Sequence, residues 1–507
     1  MCRFLLVFKK GFFVSSHRAP AEKPASASRV GLLGLIAISV SAMVGGGIYS
    51  LPATLAGLAC PAATLLAWLV TGVGMGFVVT TFRILAQVRP DLTNGIFSYA
   101  DTGFGKLVAF LVALGYWCTS CCAMATYGVL IMATFSPLVP ALGAGNTPLA
   151  CLGASVVVWA IYALARRGVE TAASINLIGT IAKFVPIVIF VAVCLANFDW
   201  AQFQDSFYNA SATSASGGTF DGLIPQALSA LMTTLWVFIG IEGAVVVSGD
   251  AVSQKAVGRA VGIAFGVALT FYILVSLVPY GSFSQSQVAA MSSPSTAAIL
   301  QGLVGPWGRV LISAGIVIAI LSSWLVWMCL QGQMPTSAAE YGIFPAFFKE
   351  RNSYGAPGHS LLWSAAVTQL FLIFACVLGP DAWDTLVSIT SVMTMPAYFF
   401  CCAFLVTQAV GYEGWPTQVV SRSRGLVIGI AGSIFGAILV CAAGLENLML
   451  ACIVFALGLP LFFFGLKANG QLGTLKRYEK VIICLLLCCA LAALCLFTLR
   501  ATGSLSA

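Results

Sequence analysis

The sequence predicts an all-α polytopic membrane protein with about 13 transmembrane helices. Of its 507 residues, 60% are hydrophobic and 8% are charged, and the mean hydropathy is +1.00. A soluble domain carries about 25% charged residues, so this composition excludes an ordinary soluble fold. Apolar stretches of about 18 or more residues recur along the whole chain, and each can cross about 30 Å of hydrocarbon as a helix. A β-barrel is excluded, because its strands would be short segments of alternating polarity.

The apolar stretches give a map of thirteen spans. In chain order they are 31–58, 61–87, 104–135, 147–165, 171–196, 223–248, 256–280, 307–333, 361–379, 385–409, 424–443, 445–466 and 480–499.

Basic residues predict which ends of the spans face the cytoplasm. With the N-terminus inside, all of the 24 lysines and arginines lie on the inner side except Arg309, Arg500 and Lys183. Shifting the map by one span would destroy this asymmetry. The net charge of +8 is therefore a topology signal and does not predict nucleic-acid binding. The basic first 30 residues lack a small-residue cleavage site after a proper apolar core, so we expect a cytoplasmic arm and no signal peptide.

Two predicted spans carry interruptions that a regular helix would not keep. In the first, SAMVGGGIYSLP at 41–52 places Gly45, Gly46 and Gly47 at mid-membrane. Each glycine destabilises a helix by about 1 kcal/mol, so the three predict an unwound segment. In the sixth, FIGIE at 238–242 lies at a similar depth. The two spans are five apart and run in opposite directions, which predicts an inverted repeat of five plus five helices. Close glycine packing between helices is the alternative explanation.

The only carboxylate placed deep in a predicted span is Glu242, in TLWVFIGIEGAVVVSG at 234–249. A charge at bilayer depth costs roughly 2.5–3.5 kcal/mol even on insertion scales, so such a residue usually faces a cavity and works there. We therefore expect Glu242 to meet a charged or cationic cargo. The alternative is a protonated glutamic acid that only holds helices together through hydrogen bonds.

The cysteines and histidines do not form a metal or catalytic motif. The cysteines at 118–122, 401–402 and 484–489 lie in apolar spans, where cysteine behaves as a small hydrophobe. CTSCC at 118–122 has no histidine or carboxylate near it within its span. The sequence also lacks HExxH, GxSxG and phosphate-loop motifs, so we expect no metal, no cofactor and no enzymatic activity. A channel would need a filter repeat or a ring of like residues, which two single interruptions do not supply.

Three segments resemble the amino acid–polyamine–organocation (APC) transporter superfamily. They are SAMVGGGIYSLPATLA at 41–56, NGIFSYADTGFG at 94–105 with GYW at 115–117, and TLWVFIGIEGAVVVSGDA at 234–251. They are most similar to its basic amino acid antiporters, the arginine/ornithine exchangers and their arginine/agmatine and lysine relatives. The resemblance runs from about residue 30 to about residue 410 and is weaker in the last three spans.

The resemblance implies a LeuT-like fold with discontinuous helices 1 and 6, and it divides the chain into three parts. Residues 1–30 form the arm, and residues 31–410 form a ten-helix transport core whose repeats are 31–196 and 223–409. Residues 424–499 form three additional helices, and a thirteenth span is similar to the arginine/ornithine branch.

The resemblance also implies a substrate site at the two interruptions. Backbone N–H groups of Gly45, Gly46 and Gly47 would bind the substrate carboxylate, because the positive end of a half-helix meets an anion there. Several relatives have serine at the position of Gly46, so a side-chain hydrogen bond is not available here. Carbonyls around Trp236 and Ile239 would accept hydrogen bonds from the α-ammonium group. Trp236 also matches the aromatic residue that closes over the bound amino acid.

Trp327, in SSWLVWMCLQGQ at 322–333, resembles the eighth-helix tryptophan that stacks on a guanidinium. A tryptophan face that holds a desolvated cation contributes about 2 kcal/mol or more. Trp324 lies one turn earlier on the same face and could take this role instead. Either tryptophan could also be an anchor in the core or at the membrane interface.

Lys183, in GTIAKFVPIV at 179–188, is the only basic residue at mid-membrane of the predicted spans. It resembles the fifth-helix lysine that, in sodium-independent members, replaces a cation held between the first, fifth and eighth helices. This resemblance argues against sodium coupling. A lysine that snorkels to the interface is the alternative, but Lys183 lies about twelve residues into its span, which is deep for snorkelling. Glu242 matches a glutamate that relatives use in gating or proton sensing.

Together these features predict a secondary transporter that exchanges cationic amino acids or their amine products. An arginine/ornithine or arginine/agmatine antiporter fits best, and a lysine or proton-coupled basic amino acid permease is the alternative within the class. A membrane channel or receptor is the alternative outside it. The expected location is the bacterial cytoplasmic membrane, with the N-terminus inside. The expected partners are the small-molecule substrate, the lipid bilayer and a second copy of the chain.

Overall fold

The computed structural model of the protein is built almost entirely of α-helices. The predicted arm at 1–30 and Glu242 lie outside the residues that the structure describes. Those residues are 32–89, 91–92, 96–167, 170–209, 211–213, 219–241, 254–379, 382–418 and 420–501.

The helices follow one another with short connections. They are α1 (Leu32–Met43), α2 (Leu51–Ala56), α3 (Pro61–Val88), α4 (Ile96–Phe104), α5 (Lys106–Phe135), α6 (Pro148–Arg166), α7 (Glu170–Ala196), α8 (Trp200–Phe207), α9 (Leu223–Trp236), α10 (Gln254–Leu277), α11 (Gln285–Ala289), α12 (Ser295–Val304), α13 (Pro306–Glu340), α14 (Gly358–Leu378), α15 (Ala382–Gly411), α16 (Arg422–Ala468) and α17 (Arg477–Ala501). Short 3₁₀ helices lie at Gly46–Tyr49, Pro140–Leu142, Val278–Gly281, Ala346–Lys349 and Leu472–Thr474.

One small sheet interrupts the helical architecture between α8 and α9. Strands β1 (Ser211–Thr213) and β2 (Thr219–Asp221) pair antiparallel, with Ala212 opposite Phe220. The hairpin lies in the loop that the sequence places between the fifth and sixth spans.

Nine helices of the described residues are long and apolar enough to cross a membrane. The number rises to ten if the end of α7 and α8, which are bent by 101° to each other, form one span. With 28 residues, α3 is about 42 Å long at 1.5 Å per residue, which exceeds the roughly 30 Å of bilayer hydrocarbon. The predicted all-α polytopic membrane fold is therefore confirmed, while the count of thirteen spans stays a prediction.

The number of membrane spans depends on whether α16 is counted as one helix or two. Its 47 residues would extend about 70 Å, more than twice the hydrocarbon thickness. The backbone leaves the helical region at Gly444, where φ is +73°, a conformation that glycine adopts without a Cβ clash. The two parts on either side of this break have the length of one span each, and the sequence map also separates its eleventh and twelfth spans at this residue.

The first and sixth predicted spans are both interrupted. Helix α1 ends at Met43, and a 3₁₀ turn at Gly46–Tyr49 precedes α2. Helix α9 ends at Trp236 and is followed by turns through residues 237–241. Both interruptions lie where the sequence predicts them. The inverted repeat that would relate them stays a prediction.

Hydrogen bonds between helices fix α9 at the centre of the molecule. The Thr71 and Thr234 hydroxyls lie 2.7 Å apart and join α3 to α9. Ser391 of α15 donates to the Met232 carbonyl at 2.7 Å. The Cys60 N–H donates to the Gln226 side-chain oxygen at 2.8 Å. Polar groups inside a membrane protein have no water to bind, so such pairs hold helices at defined positions.

The helices differ in how much of their surface the rest of the protein covers. In α5, 89% of the apolar window is buried, whereas in α17 the buried share is 17%. The central position of α5 brings it next to both interrupted spans, while α17 lies at the periphery. A functional site built from α5 and the two interruptions would therefore be enclosed by protein.

Candidate functional site

A cavity lies between the two interruptions and α5. Its free space is about 440 Å³ when the part that opens towards solvent is counted. No charged side chain is found among the described residues of its wall. The lining residues are Met43, Gly45, Gly47, Ile48, Ser120, Ala123, Met124, Tyr127, Trp236, Val237, Ile239 and Trp327.

The first interruption presents backbone to this cavity. After α1 ends, Gly45 adopts an extended conformation (φ −98°, ψ −156°) and the 3₁₀ turn begins at Gly46. The first N–H groups of a helical segment have no acceptor within it, and they carry the positive end of its dipole. Gly45 and Gly47 line the cavity. A Cβ on Gly46 would instead meet Ile320 of α13 at 2.9 Å and Leu130 of α5 at 3.1 Å.

Trp236 closes one side of the cavity by packing directly on the first interruption. A Cβ added to Gly47 would lie 2.3 Å from the Trp236 ring, so the ring occupies the place of a side chain. Trp236 also meets Trp383 edge-to-face, with 5.6 Å between ring centroids. The Trp383 indole N–H donates to the Thr54 hydroxyl at 3.0 Å. The position of Trp236 is thus fixed from two directions.

The carbonyl groups of the second interruption are partly engaged. The Ile239 N–H donates to the Trp236 carbonyl at 3.2 Å, which forms the turn after α9. The Val237 carbonyl accepts from the Tyr272 hydroxyl at 2.7 Å. A carbonyl oxygen has a second lone pair, so the Trp236 carbonyl retains the capacity to accept from an ammonium group.

Tyr272 of α10 connects the two interruptions. Its hydroxyl lies 2.9 Å from the Met43 carbonyl and 2.7 Å from the Val237 carbonyl, so its single proton is shared between them or alternates. The ring stacks on Trp68, with 5.6 Å between centroids and 19° between planes. Tyr272 is fully buried, and both residues that it reaches line the cavity. The sequence analysis did not identify it, because nothing in the seventh span shows which partners it meets.

The variant Tyr272→Phe is expected to destabilise the protein by about 1–2 kcal/mol, because two buried carbonyls lose their shared donor. Thermal unfolding of the purified protein in detergent measures this. Tyr280→Phe is the matched control: the Tyr280 hydroxyl is also buried, and it has no hydrogen-bond partner among the described residues. Equal midpoints for the two variants would show that the Tyr272 hydrogen bonds contribute nothing.

Of the two candidate tryptophans in α13, Trp327 lines the cavity. Trp324 is fully buried and packs next to Gly128 of α5, where an added Cβ would lie 3.3 Å from its ring. The geometry therefore favours Trp327 as the aromatic residue that meets a ligand.

Several lining residues come from α5, the helix that also carries the cysteines at 118–122 and GYW at 115–117. Ser120, Ala123, Met124 and Tyr127 follow one another at helical spacing and form one face of α5. The Tyr127 hydroxyl lies 1.8 Å from the position of a Cβ on Gly45, so it stands directly against the first interruption. The sequence shows that these residues are three, four and seven positions apart. It does not show which face of α5 contacts the interruptions.

Lys183 lies outside the cavity wall but close to the first interruption. It is fully buried in α7, and its backbone carbonyl accepts from the Tyr49 hydroxyl at 2.8 Å. One turn further, Pro186 packs against Gly315 of α13, where an added Cβ would lie 2.3 Å from the proline ring. The α7 segment that carries Lys183 therefore adjoins both the first interruption and α13.

Known proteins match this chain over nearly its full length. A sequence model of the family described as amino acid permease matches residues 30–469. A protein of Clostridium perfringens with a provisional amino-acid transporter name is 39% identical over 465 residues, which cover 90% of this chain and 96% of that protein. The arginine/agmatine antiporter of Chlamydia abortus is 38% identical over 475 residues, covering 93% and 97% of the two chains. That of Chlamydia trachomatis is 36% identical over 480 residues, covering 94% and 98%.

The extent of these matches agrees with the helical membrane fold. The family match spans the predicted core and also α16. Family and relatives alike are transporters, and none is described as an enzyme. The chain therefore belongs to the amino acid permease family of the APC superfamily and is an amino acid transporter.

Proposed function

We propose that this transporter exchanges cationic amino acids or their amine products, with arginine/agmatine or arginine/ornithine as the best-fitting pairs. The observation that carries the proposal is the cavity between the two interrupted spans, with Trp236 and Trp327 in its wall. The names of the Chlamydia relatives support the substrate class. The chemistry of the wall supports it as well, because each end of such a substrate finds a matching group.

The two ends of the substrate would bind to different parts of the wall. Backbone N–H groups at Gly45–Gly47 would bind the carboxylate, and carbonyls near Trp236 and Ile239 would accept from the α-ammonium group. The face of Trp327 would stack on the distal cation, since no described residue of the wall supplies a carboxylate. Alternating access would rock one helix bundle against the other around this fixed site.

Several organisational features belong to the same proposal. They are the five-plus-five repeat at 31–196 and 223–409, the three added helices at 424–499, a location in a bacterial cytoplasmic membrane with the N-terminus inside, and assembly as a homodimer. The bacterial origin of the three relatives supports the location.

Counterflow into proteoliposomes tests the exchange. Labelled arginine is presented outside vesicles that contain unlabelled arginine, agmatine, ornithine, lysine or leucine. An exchanger of cationic substrates takes up label when a cation is inside and is nearly silent with leucine or with no internal substrate. Uptake that is equal with empty vesicles would identify a uniporter or channel, and exchange driven by leucine would move the substrate class to neutral amino acids.

Transport is expected to be indifferent to sodium, because the Lys183 ammonium would stand in place of a bound cation beside the first interruption. Exchange rates should stay the same when potassium or choline replaces sodium. Lys183→Ala should slow exchange about fivefold, a loss near 1 kcal/mol, while expression and folding remain largely intact. Lys106→Ala is the control, since the side chains of its ion pair with Asp101 are 27% and 24% exposed, and partly exposed pairs contribute little. A steep dependence on sodium in the parent protein would contradict this role of Lys183.

Glu242 is proposed to couple the exchange to protons, a role that rests on the sequence alone because the residue lies outside the described residues. Burial favours the protonated carboxyl and a nearby cationic substrate favours the ionised form, so substrate binding and proton release become linked. Glu242→Gln should keep the fold and flatten the pH dependence of exchange between about pH 5 and 8. Glu242→Ala should lower exchange further, because it also opens a void. Exposed Glu413→Gln is the control, and a Glu242→Gln variant with the parent's full pH profile would show that Glu242 only joins helices.

A further inference from the structure

Gln331 of α13 is a buried amide that the fold itself does not use. The residue is fully buried, and neither its side-chain oxygen nor its side-chain nitrogen has a hydrogen-bond partner among the described residues. A buried polar group without a partner costs its desolvation free energy, and native proteins keep few such groups. The lack of partners for both the amide oxygen and the amide nitrogen therefore indicates a ligand that binds and dissociates.

Gln331 lies outside the cavity wall, one turn of α13 beyond Trp327, which lines it. Trp327, Gln331 and Met334 are spaced by four and three residues, so they follow one face of the helix. Trp327 lines the cavity, and the Met334 sulfur lies 3.8 Å from the hydroxyl oxygen of Ser120, which also lines it. Gln331 lies between them, about 6 Å along the helix from Trp327 at 1.5 Å per residue.

The backbone that carries this amide is held firmly. The Ser364 hydroxyl of α14 lies 3.1 Å from the Gln331 carbonyl and 2.8 Å from the Ser360 carbonyl, so its single proton is shared between them or alternates. The Trp117 indole N–H of α5 in turn donates to the Ser364 oxygen at 2.8 Å. The side-chain amide therefore extends from a well-positioned backbone. A residue that discriminates between ligands requires such support.

We propose that Gln331 is a specificity-determining residue that binds the polar end of the substrate side chain beyond Trp327. Its oxygen accepts from N–H groups such as those of a guanidinium, and its nitrogen can donate to a polar group of the substrate. The inference rests on the proposed function, because it takes the distal end of the substrate to lie at Trp327. A site with a buried hydrogen-bonding group rejects analogues that leave the group unpaired far more strongly than an apolar site does.

The test compares Gln331→Met with the parent protein, because methionine has a similar length and no amide. Binding of arginine and of norleucine, which has no polar distal end, is measured by calorimetry in detergent. The ratio of arginine affinity to norleucine affinity should fall by about tenfold or more in the variant. The thermal midpoint without substrate should not fall, because the unpartnered amide has been removed.

Gln226→Met is the matched control for a structural amide. Gln226 is also fully buried, but its oxygen accepts from the Cys60 N–H and its nitrogen donates to the Asn209 carbonyl. This variant should lower the thermal midpoint and leave the affinity ratio unchanged.

If Gln331→Met does not fold, Gln331→Glu tests the role of Gln331 instead. A carboxylate of the same shape should raise the ratio of arginine to norleucine affinity by about tenfold, because a charge-assisted hydrogen bond to a guanidinium is the stronger one. An unchanged ratio in whichever variant folds overturns the role of Gln331, even where arginine exchange by the parent protein upholds the proposed function. Absence of any cationic amino acid binding by the parent protein overturns both.

Discussion

Gly47→Ala is expected to reduce exchange by about 10- to 100-fold. The new Cβ would lie 2.3 Å from one ring carbon of Trp236 and 2.5 Å from another. The ring cannot move freely, because it also contacts Trp383, which is held by its hydrogen bond to Thr54. Either the 3₁₀ turn or Trp236 must move, and both form the wall of the cavity.

Gly46→Ala provides the contrast on the neighbouring residue. Its Cβ would meet the Ile320 side-chain carbons at 2.9 Å, which are the far end of a flexible side chain and lie away from the cavity wall. We expect a smaller loss of exchange from this variant than from Gly47→Ala. Exchange rates in proteoliposomes and thermal midpoints of both proteins make the comparison. A larger loss in Gly46→Ala, at equal midpoints, would mean that the packing of Trp236 on Gly47 does not govern the site.

The features that could be predicted from the sequence depend on residues that are close together along the chain. Three glycines in an apolar span lower helix stability at one point, so the interruption at Gly45–Gly47 follows from local energetics. The end of α9 near FIGIE follows from the same reasoning, and the glycine at 444 separates two spans in both the sequence map and α16. Trp327 was identified from the resemblance of the segment at 322–333 to the eighth helix of the transporter superfamily, which is also a local feature.

The features that sequence could not predict depend on which faces of distant helices meet. Tyr272 is more than 200 residues from Met43 along the chain, and only folding brings its hydroxyl to both interruptions. Tyr127 and Ser120 lie on a helix that is apolar on every side, so periodicity could not show which face the cavity uses. The unpartnered state of Gln331 is likewise a property of three packed helices and is absent from any motif. Local breaks therefore identify where a site lies, and tertiary packing decides which side chains complete it.

Trp327→Leu should weaken arginine binding at least about tenfold, which corresponds to about 1.4 kcal/mol, because the cation loses the aromatic face on which it stacks. Leucine keeps an apolar side chain at the position, so the change isolates the π-face from hydrophobic burial. Trp327→Phe and Trp327→Tyr retain an aromatic ring and should lose less affinity. Calorimetry on well-folded protein gives the dissociation constants directly.

Trp324→Leu separates this role from general packing in α13. Trp324 is fully buried, lies outside the cavity wall and packs next to Gly128, so its replacement should lower the thermal midpoint while arginine affinity stays within a few-fold of the parent. If a cation–π contact holds the substrate, arginine affinity should decrease from Trp to Tyr or Phe and then to Leu at position 327. No such order is expected at position 324. If Trp327→Leu and the parent protein bound arginine with equal affinity, another part of the site would have to recognise the cation. The effect of Gln331 on arginine binding would then have to be measured independently of Trp327.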